Sequence, residues 1–258
     1  MILEGKTIVV SGVGPGLGRE IATVAVRDGA NVVMGARRED NLRAIAAALD
    51  PDGKRVAWAV TDITIADQRQ RLVETAIDRF GQLDGLVNCA ALDSVLGGLD
   101  SADFAEWRNV FETNVFGSLQ LTKAAVDRMD ERGGAIVFIG SQAMFYAQLP
   151  QTAYAASKAA LLGAVAQLVP ELGPKRIRIN TVVPTWMWGP PVEGYITWTA
   201  AAQGVPQEEV LGAITSKMPL GVMPADEDVA EAVIFFLSDR SRMITGQSLL
   251  VNAGEYLR

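Results

Sequence analysis

An α/β fold built around one parallel sheet is predicted by two patterns in the sequence. Short apolar runs alternate with helical patterns from Thr7 onward, and these runs are continuous in Val, Ile and Leu. Strands of this kind are buried on both faces, as in a parallel sheet covered by helices on each side. Seven such runs predict a seven-stranded, doubly wound domain over residues 1–258, and no repeat, low-complexity tract or linker marks a boundary within it.

The predicted elements follow one another with little interruption. Strands at KTIVVSG, NVVMGA, RVAWAVTD and LDGLVNCAA are separated by helices that begin near LGREIA, RREDNL and DQRQRL. A helix over residues 103–129, a strand at AIVFIGS, a helix over residues 152–172 and a strand at IRINTVV follow. DEDVAEAVIFFLSD predicts the last helix and GQSLLVNAG the last strand. The irregular segment between the strand at IRINTVV and the last helix, about residues 185–222, is rich in Pro, Gly and aromatic residues and predicts a substrate-binding loop or lid.

Composition narrows the classes of partner and chemistry. The chain is 49% hydrophobic and 21% charged, which is typical of a soluble globular protein. Its net charge of −7 disfavours nucleic acids and anionic membranes, which attract basic surfaces. We therefore expect a small-molecule substrate, no nucleic-acid partner and no membrane partner.

Histidine is absent from the chain, and there is a single cysteine, Cys89. These counts exclude serine–histidine–acid triads, histidine bases, an intrachain disulfide and cysteine-rich zinc clusters, so no metal site is expected. The first ten residues show no signal-peptide pattern, and no apolar run approaches ~18 residues. The sequence predicts a cytoplasmic protein.

Proton-handling side chains are concentrated between Ser141 and Lys158. On a helix, Tyr154 and Lys158 would lie one turn apart on the same face. A neighbouring ammonium favours the phenolate and lowers the tyrosine pKa from about 10, as a catalytic base requires. Tyr146 has no lysine four residues on. We expect Tyr154, not Tyr146, to be the acid/base residue.

Glycines crowd the turn after the first strand, SGVGPGLG at residues 11–18. Such a turn lets backbone amides approach a pyrophosphate at the start of a helix. The spacing differs from the GxGxxG fingerprint, and no Walker lysine follows, which counts against ATP or GTP. Alone, the turn is weak evidence of nucleotide binding.

Together these motifs resemble the short-chain dehydrogenase/reductase family. SGVGPGLG is similar to its TGxxxGxG turn, VNCAA to its NNAG segment, and ITGQSLLVNAG to its ending. Asn114, Ser141, Tyr154 and Lys158 fall in the family's order and spacing, and the likeness spans essentially the whole chain. The resemblance implies a Rossmann-type fold and hydride transfer between a nicotinamide cofactor and a carbonyl or secondary alcohol.

The resemblance also implies catalytic roles. Tyr154 would be the general acid/base, and Lys158 would lower its pKa and hold the nicotinamide ribose. Ser141 would polarise the substrate oxygen, and Asn114 would support a water-connected proton relay through Lys158. Taken singly, these residue types are more often caps, packing residues or solvated charges. Enoyl reductases of the family need a tyrosine seven positions before the lysine, where this chain has Gln151, which disfavours that chemistry.

Cofactor choice is predicted at the end of the second strand, where a carboxylate would select NAD. Ala36 stands there, followed by Arg37 and Arg38, which favours NADP(H) with Arg37 on the 2′-phosphate. NAD(H) is the alternative if the arginines are solvated or paired with Glu39 and Asp40. The cofactor-binding residues implied by the resemblance are Ser11, Gly12, Gly14, Gly16, Leu17, Gly18, Arg37, Arg38, Asp62, Ile63, Asn88, Ala90, Tyr154, Lys158, Pro184 and Met187.

Four positions depart from the family pattern. Cys89 and Ala91 replace the second asparagine and the glycine of NNAG, and Thr185 stands where glycine is usual. Gly189 stands where a threonine often helps to hold the nicotinamide carboxamide. We expect backbone atoms of Met187 to position the nicotinamide and the threonine contact to be lost.

Aromatic residues are dense in the irregular segment and after Ser141. They predict an apolar, for example cyclic, alcohol or ketone substrate, and lid packing or a subunit contact is the alternative. The segment contains no cationic cluster of the kind that would favour a phosphorylated or carboxylated substrate. The predicted substrate-pocket residues are Met144, Phe145, Tyr146, Trp186, Trp188, Tyr195 and Trp198.

Two wider alternatives stay open in the sequence. A fold of this kind also serves as a non-catalytic nicotinamide-nucleotide-binding sensor or scaffold. The resemblance implies a homotetramer, or a homodimer, in which the long helices after the fourth and fifth strands pair across subunits.

Overall fold

Seven parallel strands form one sheet in the computed structural model, which describes residues 1–257. The strands are β1 Thr7–Ser11, β2 Asn31–Ala36, β3 Val56–Val60, β4 Gly85–Asn88, β5 Gly134–Ile139, β6 Ile177–Pro184 and β7 Ser248–Val251. Their order is β3-β2-β1-β4-β5-β6-β7, with every neighbouring pair parallel. The predicted doubly wound arrangement is confirmed.

Helices cover both faces of this sheet. The helices are α1 Leu17–Arg27, α2 Glu39–Leu49, α3 Ala66–Phe80, α4 Phe104–Phe111, α5 Ser118–Val126, α6 Thr152–Leu172, α7 Pro190–Gln203, α8 Gln207–Thr215 and α9 Asp226–Leu237. Along β1, Ile8 and Val10 pack with α1 and α9, whereas Val9 packs with α3, α5 and α6. Successive side chains of a strand point to opposite faces, so both faces need apolar residues. This is why the strands read as unbroken apolar runs.

The strand order reverses beside β1, which lies between β2 and β4. Ser11 at its end pairs in register with Gly35 on one side and Asn88 on the other. Ligands of doubly wound sheets bind at the carboxyl ends of the strands at such a reversal. The fold therefore brings together the glycine-rich turn, the arginines after β2 and the segment after β4.

The helix predicted over residues 103–129 is continuous but not uniform. Asp103 caps α4, accepting hydrogen bonds from the backbone N–H groups of Ala105 and Glu106. A π-helical segment, Glu112–Gly117, then joins α4 to α5. Single π-helical turns inside α-helices are frequent at functional sites. This one carries Asn114.

The segment predicted to be irregular contains two helices, α7 and α8. Pro190 and Pro191 occupy the first positions of α7, where no backbone N–H is needed. Gly204 ends α7 with φ of 69°, in the left-handed region. The prediction of irregular structure was wrong because these residues, typical of loops, stand at helix ends. A lid role for this segment stays a prediction.

Helix α6 is the core helix that carries two of the predicted catalytic residues. Together with the turn after it, Thr152–Lys175 is long and apolar enough to cross a membrane by length and composition alone. Leu161, Val165 and Leu172 are nevertheless buried against one face of the sheet. A core helix of a globular domain passes the same test of length and composition.

Candidate active site

Tyr154 and Lys158 lie one turn apart on α6, as their spacing predicts. Lys158 is 3% exposed, and its ammonium donates a hydrogen bond to the carbonyl oxygen of Ile139 at 2.7 Å. Its Nζ lies 5.6 Å from the centroid of the Tyr154 ring. Because Ile139 ends β5, this bond fixes the start of α6 against the sheet edge and aims the lysine at the phenol.

Ser141 joins this pair from the loop after β5. Its Oγ accepts a hydrogen bond from the backbone N–H of Ala143 at 3.2 Å and caps a short 3₁₀ turn, Gln142–Met144. Its side chain also hydrogen-bonds Tyr154, in the sense that favours the phenolate. Serine and tyrosine hydroxyls therefore stand side by side, as two groups that act on one substrate oxygen must.

The pKa values at this centre correct one expectation from the sequence. Burial raises the pKa of Tyr154 to about 12, outweighing the hydrogen bond from Ser141, and the charges of Asp93 and Cys89 act in the same direction as burial. Burial also lowers the pKa of Lys158 to about 8. The tyrosine pKa is therefore raised in this structure, not lowered as the sequence predicted. At neutral pH the phenol carries its proton and is a donor.

Asn114 is fully buried and ties two segments together beside the tyrosine. Its amide nitrogen donates to the carbonyl of Leu92 at 3.1 Å and to Ser157 Oγ at 3.0 Å, and its Oδ1 accepts from the N–H of Leu92 at 2.7 Å. Ser157 in turn donates to the carbonyl of Tyr154 at 2.7 Å. The side chain thus holds the loop after β4 against the catalytic turn of α6. The predicted relay role is not tested by these contacts.

The glycine-rich turn is packed so tightly that only backbone fits at two of its positions. Gly12 has φ of 82°, and a Cβ there would collide with the backbone of Ala90. A Cβ on Gly18 would collide with the carbonyl oxygen of Gly12. Gly14, by contrast, faces open space. The turn therefore presents bare backbone at the start of α1, as a pyrophosphate cradle requires.

A cavity of about 630 Å³ extends from this turn to the ends of β2 and β3. This volume is in the range of small-molecule and cofactor sites. Burial alone would raise the pKa of Asp62, but hydrogen bonds from Thr64 and the charges of Arg37 and Arg69 bring that pKa below its ordinary value. The predicted cofactor residues in its wall are Gly12, Gly14, Arg37, Arg38, Asp62, Ile63 and Ala90. The cradle and this wall fit the adenosine and pyrophosphate of a nicotinamide dinucleotide.

Other predicted cofactor residues lie outside the lining of this cavity. Ser11 donates to the carbonyl of Val87 at 3.1 Å, and Asn88 donates to Thr122 Oγ1 at 2.9 Å. Pro184 is buried at the end of β6, and Met187 packs against the core beside α1 and α9. Gly16 and Leu17 stand at the N-terminus of α1. Their assignment as cofactor contacts stays a prediction.

A second cavity, of about 300 Å³, lies between the loop after β5 and helices α7 and α8. Three of the predicted substrate residues line it, namely Tyr146, Trp186 and Tyr195. Trp186 and Tyr195 form a tilted pair with ring centroids 5.1 Å apart. The cavity therefore has an aromatic wall on the side of α7.

Glu255, near the C-terminus, is the centre of the polar wall of this second cavity. It accepts hydrogen bonds from the amide nitrogens of Gln142, at 2.8 Å, and Gln148, at 3.0 Å. The hydroxyls of Tyr146 and Thr185 donate to the same carboxylate. Sequence reasoning missed Glu255 because nothing in the final residues signals that they reach the loop after Ser141.

The other four predicted substrate residues lie elsewhere in the part of the chain that the structure describes. Phe145 stacks on Tyr256 with ring centroids 5.4 Å apart, and Met144 lies beside Gly140. Trp188 is 42% exposed, and its backbone N–H donates to the carbonyl of Pro224. Trp198 is 69% exposed on α7. The predicted set is thus divided between the cavity wall and its surroundings.

Two further residues bear on the chemistry of the site. Burial raises the pKa of Cys89 to about 11, so it is a neutral thiol at neutral pH. Asp93, after β4, was also missed by sequence reasoning, and it accepts a hydrogen bond from Gln151 through its backbone carbonyl. Among residues 1–257, no group of three or more His, Cys, Asp or Glu residues is placed to hold a metal ion.

Known proteins resemble the chain over its full length. A family profile described as enoyl-(acyl carrier protein) reductase matches residues 12–255. The 3-oxoacyl-[acyl-carrier-protein] reductase FabG of Thermotoga maritima is 31% identical over 257 residues, covering 98% of this chain and 99% of that protein. The L-rhamnose 1-dehydrogenase (NAD(P)(+)) of Azotobacter vinelandii is 33% identical over 263 residues, covering 100% and 99%.

A solved structure gives the same result in three dimensions. The short-chain dehydrogenase/reductase of Brucella melitensis, described as a glucose/ribitol dehydrogenase, superimposes with a TM-score of 0.90 at 27% identity, covering 100% of this chain and 99% of that one. The relatives are oxidoreductases acting on CH–OH groups, and the motifs that carry the likeness meet at one site. The chain therefore belongs to the short-chain dehydrogenase/reductase family and is an NAD(P)-dependent oxidoreductase.

Proposed function

We propose that the protein interconverts a carbonyl and a secondary alcohol on an apolar, cyclic substrate with NADP(H) as its cofactor. The observation that carries this proposal is the hydrogen-bonded pair of Ser141 and Tyr154 beside the buried ammonium of Lys158. When bound, the nicotinamide supplies or accepts the hydride. Every proton step is left to the protein's own side chains.

In reduction, the Ser141 hydroxyl donates a hydrogen bond to the substrate carbonyl oxygen, and Tyr154 delivers its proton to that oxygen as negative charge develops there. The raised pKa of Tyr154 keeps the phenol protonated at neutral pH, which suits it to this donor role. Lys158 places positive charge beside the phenolate that remains. In oxidation the same groups act in reverse, and the phenolate removes the alcohol proton.

Carbonyl chemistry is favoured over enoyl reduction by the residue seven positions before Lys158. That residue is Gln151, and its amide nitrogen donates to the carbonyl of Asp93 at 3.0 Å. Its side chain holds the loop after β4 and has no phenol to offer. Tyr154 is the tyrosine beside the lysine, at the spacing typical of carbonyl reductases of the family.

NADP(H) is favoured by the arginines after β2. Arg37 and Arg38 are exposed in the wall of the larger cavity, and neither forms a salt bridge within residues 1–257. Glu39 pairs with Arg43 at 2.8 Å instead. Two unpaired guanidinium groups next to Ala36, which bears no carboxylate, favour a 2′-phosphate at this place.

An uncharged, largely apolar ring is favoured by the second cavity. Tyr146, Trp186 and Tyr195 give it flat aromatic surface, which suits a ring. Glu255 and Glu209 line it, and Lys217 is the cationic side chain among its described lining residues. The excess of negative charge disfavours carboxylated and phosphorylated substrates.

We also propose a homotetramer or homodimer in the cytoplasm. The outward face of α6 is exposed and built of small residues, and Phe104 on α4 and Phe116 on the π-helical segment are each about half exposed. Flat, partly apolar helix faces of this kind suit pairing with a second copy of the chain. Native mass spectrometry at micromolar protein tests this, and a monomer would contradict it.

Turnover tests the function directly. A panel of cyclic and linear ketones and their alcohols, followed at the absorbance of the reduced nicotinamide with each cofactor, is expected to show the highest kcat/KM for an uncharged cyclic member with NADPH. Cofactor binding without turnover of any member would favour a nicotinamide-binding sensor or scaffold instead. A clear preference for anionic substrates would contradict the substrate part alone.

A further inference from the structure

Asp226 brings a carboxylate to the glycine-rich turn from the far end of the sequence. It is the first residue of α9, and its Oδ2 lies 3.4 Å from the position that a Cβ on Gly16 would occupy. The same oxygen lies 3.5 Å from the position of a Cβ on Gly189. Gly16 precedes the first residue of α1, and Gly189 precedes the first residue of α7. The carboxylate is therefore placed between the beginnings of two helices.

The beginnings of helices attract anions because their first N–H groups lack partners within the helix. Neither Gly16 nor Gly189 offers a side-chain cap, so both helix ends present bare backbone. In a dinucleotide-binding fold, the beginning of the first helix is where the pyrophosphate lies. Asp226 puts a negative group of the protein itself beside that place.

Nothing else in the described structure satisfies this carboxylate. Asp226 is half-buried, and its carboxylate forms no hydrogen bond or salt bridge with any residue between Met1 and Leu257. Its neighbours on α9 are engaged elsewhere: Glu227 pairs with Arg27, and Asp228 accepts from the backbone N–H of Ala225. Burial without a partner raises the free energy of an ionised carboxylate.

Gly189 borders this carboxylate without being crowded by it, because a Cβ there would lie at ordinary contact distance from Asp226 Oδ2. The family pattern often has a threonine there, and the oxygen of Asp226 now lies next to the space which that side chain would take. A neutral hydroxyl donor is in effect exchanged for a carboxylate acceptor. The cofactor site therefore has a negatively charged acceptor beside the position where the family pattern often has a neutral donor.

We propose that Asp226 sets cofactor affinity. Its ionised carboxylate repels the pyrophosphate of the nicotinamide dinucleotide, and its neutral form does not. The proposal rests on the dinucleotide binding of the proposed function. Cofactor affinity would then depend on pH through the protonation of Asp226.

The direction of the pH effect follows from the charges around Asp226. Burial, and then the negative charge of Glu20 on α1, raise the pKa of Asp226 above its ordinary value. Cys89 at the end of β4 also faces it, and because burial raises the pKa of that thiol to about 11 it stays neutral in the range of interest. Dinucleotide affinity should therefore rise as pH falls through the raised pKa of Asp226, because the repulsion is then removed.

Asp226→Asn tests this by binding, without turnover. Dissociation constants for NADP⁺, NAD⁺, ADP and adenosine are measured by calorimetry between about pH 4 and pH 8, a range that starts near the ordinary pKa of a carboxyl and extends above it. At the upper pH we expect the three diphosphates to bind the variant on the order of tenfold more tightly than they bind the unaltered protein. Adenosine, which has no phosphate, should bind both equally, and the pH dependence of the variant should be flatter.

Glu227→Gln is the matched control, since it removes the same charge one residue along on an exposed side chain. It should leave all four dissociation constants within about twofold, which is the range expected of a distant surface charge. Unchanged or weaker diphosphate binding by Asp226→Asn, in a variant with an unaltered melting temperature, would overturn the proposal. Failure of every protein to bind any dinucleotide would instead overturn the proposed function.

Discussion

The two sides of the active site are built in different ways. The cofactor side is made of backbone: Gly12 and Gly18 are packed so closely that neither can carry a Cβ, and the turn lies at the ends of adjacent strands. The substrate side is made of side chains from distant segments. Tyr146, Thr185 and Glu255 meet there although more than a hundred residues separate the first from the last.

This difference predicts different responses to substitution. Where the backbone itself forms the site, almost any side chain disrupts it, so the cofactor side should tolerate little change. Where side chains form the site, each can be exchanged for another at modest cost, so the substrate side can acquire a new specificity without loss of the fold. Tyr154, to which the proposed proton transfer is assigned, should be the most sensitive position.

The largest effect is expected for Tyr154→Phe, which removes the proton donor and leaves the ring. Loss of a general acid lowers kcat by about a hundredfold to ten-thousandfold. Cofactor binding should stay nearly intact, because the ring is kept and the hydroxyl that is lost is hydrogen-bonded to Ser141. Steady-state kinetics and a cofactor titration on the same preparation measure both quantities.

Tyr146→Phe is the matched control for this change, since it removes the same hydroxyl from the polar wall of the second cavity. It should alter KM more than kcat, because Tyr146 lines the cavity but is not hydrogen-bonded to Ser141. Equal losses of kcat in both variants would contradict the distinction between the two tyrosines.

The next effect is expected for Gly12→Ala. The added Cβ meets the backbone of Ala90, and φ of 82° disfavours any side chain, so unfolding free energy should fall by about 1–3 kcal/mol. For a chain of this size that corresponds to a loss of several degrees in Tm. Gly14→Ala is the control, because its Cβ would face open space. A Tm lowered equally by both would show that crowding at Gly12 is not the cause.

The contrast between the two sides also explains how much could be predicted from sequence. Glycine spacing, strand periodicity and the Tyr154 to Lys158 spacing are local patterns, and the structure places each of them as the pattern predicts. The roles of Asp226 and Glu255 depend on contacts across the whole chain, which a local pattern does not contain. The tyrosine pKa was predicted in the wrong direction for a related reason, because burial is a property of the folded chain and here exceeds the effect of the hydrogen bond from Ser141.

Helices α7 and α8 make the same point at the level of secondary structure. Proline and glycine indicate loops on average, but at the first position of a helix and just beyond its end they are compatible with it. The small apolar cluster of Ile196, Ala200 and Val210 joins the two helices. The apolar periodicity of this segment is short and interrupted. The high content of proline and glycine therefore led to a prediction of irregular structure instead of helices.

A smaller effect, on the cofactor side, is expected for Arg37→Ala. Removing a guanidinium that bonds a 2′-phosphate should weaken NADP(H) on the order of tenfold and leave NAD(H) within about twofold. Arg38→Ala is the control. Arg38 also lines the cavity, and this substitution removes the same charge one residue along the chain. Equal weakening of both cofactors by Arg37→Ala would show that this arginine attracts either cofactor by its charge and does not recognise the 2′-phosphate.

The smallest effect is expected for Glu255→Gln, because it changes charge within a network that side chains can rebuild. The hydroxyls of Tyr146 and Thr185 can rotate to accept from the new amide, so the fold should keep its Tm within about 2 °C, the shift expected for less than 1 kcal/mol. Loss of the negative charge should raise kcat/KM for a carboxylated cyclic ketone by about threefold to fivefold, as a weak interaction across a solvated cavity predicts. The uncharged ketone with the same ring should change little.

Glu209→Gln completes the comparison from the opposite wall of the same cavity. Glu209 is exposed on α8 and its carboxylate forms no hydrogen bond in the described chain, so water screens its charge more effectively than that of Glu255. Its neutralisation should therefore favour the anionic ketone less than Glu255→Gln does. If both ketones respond equally to Glu255→Gln, the carboxylate acts by holding the cavity in shape and not by its charge. In that case, substrate selection on this side depends on the aromatic wall of Trp186 and Tyr195.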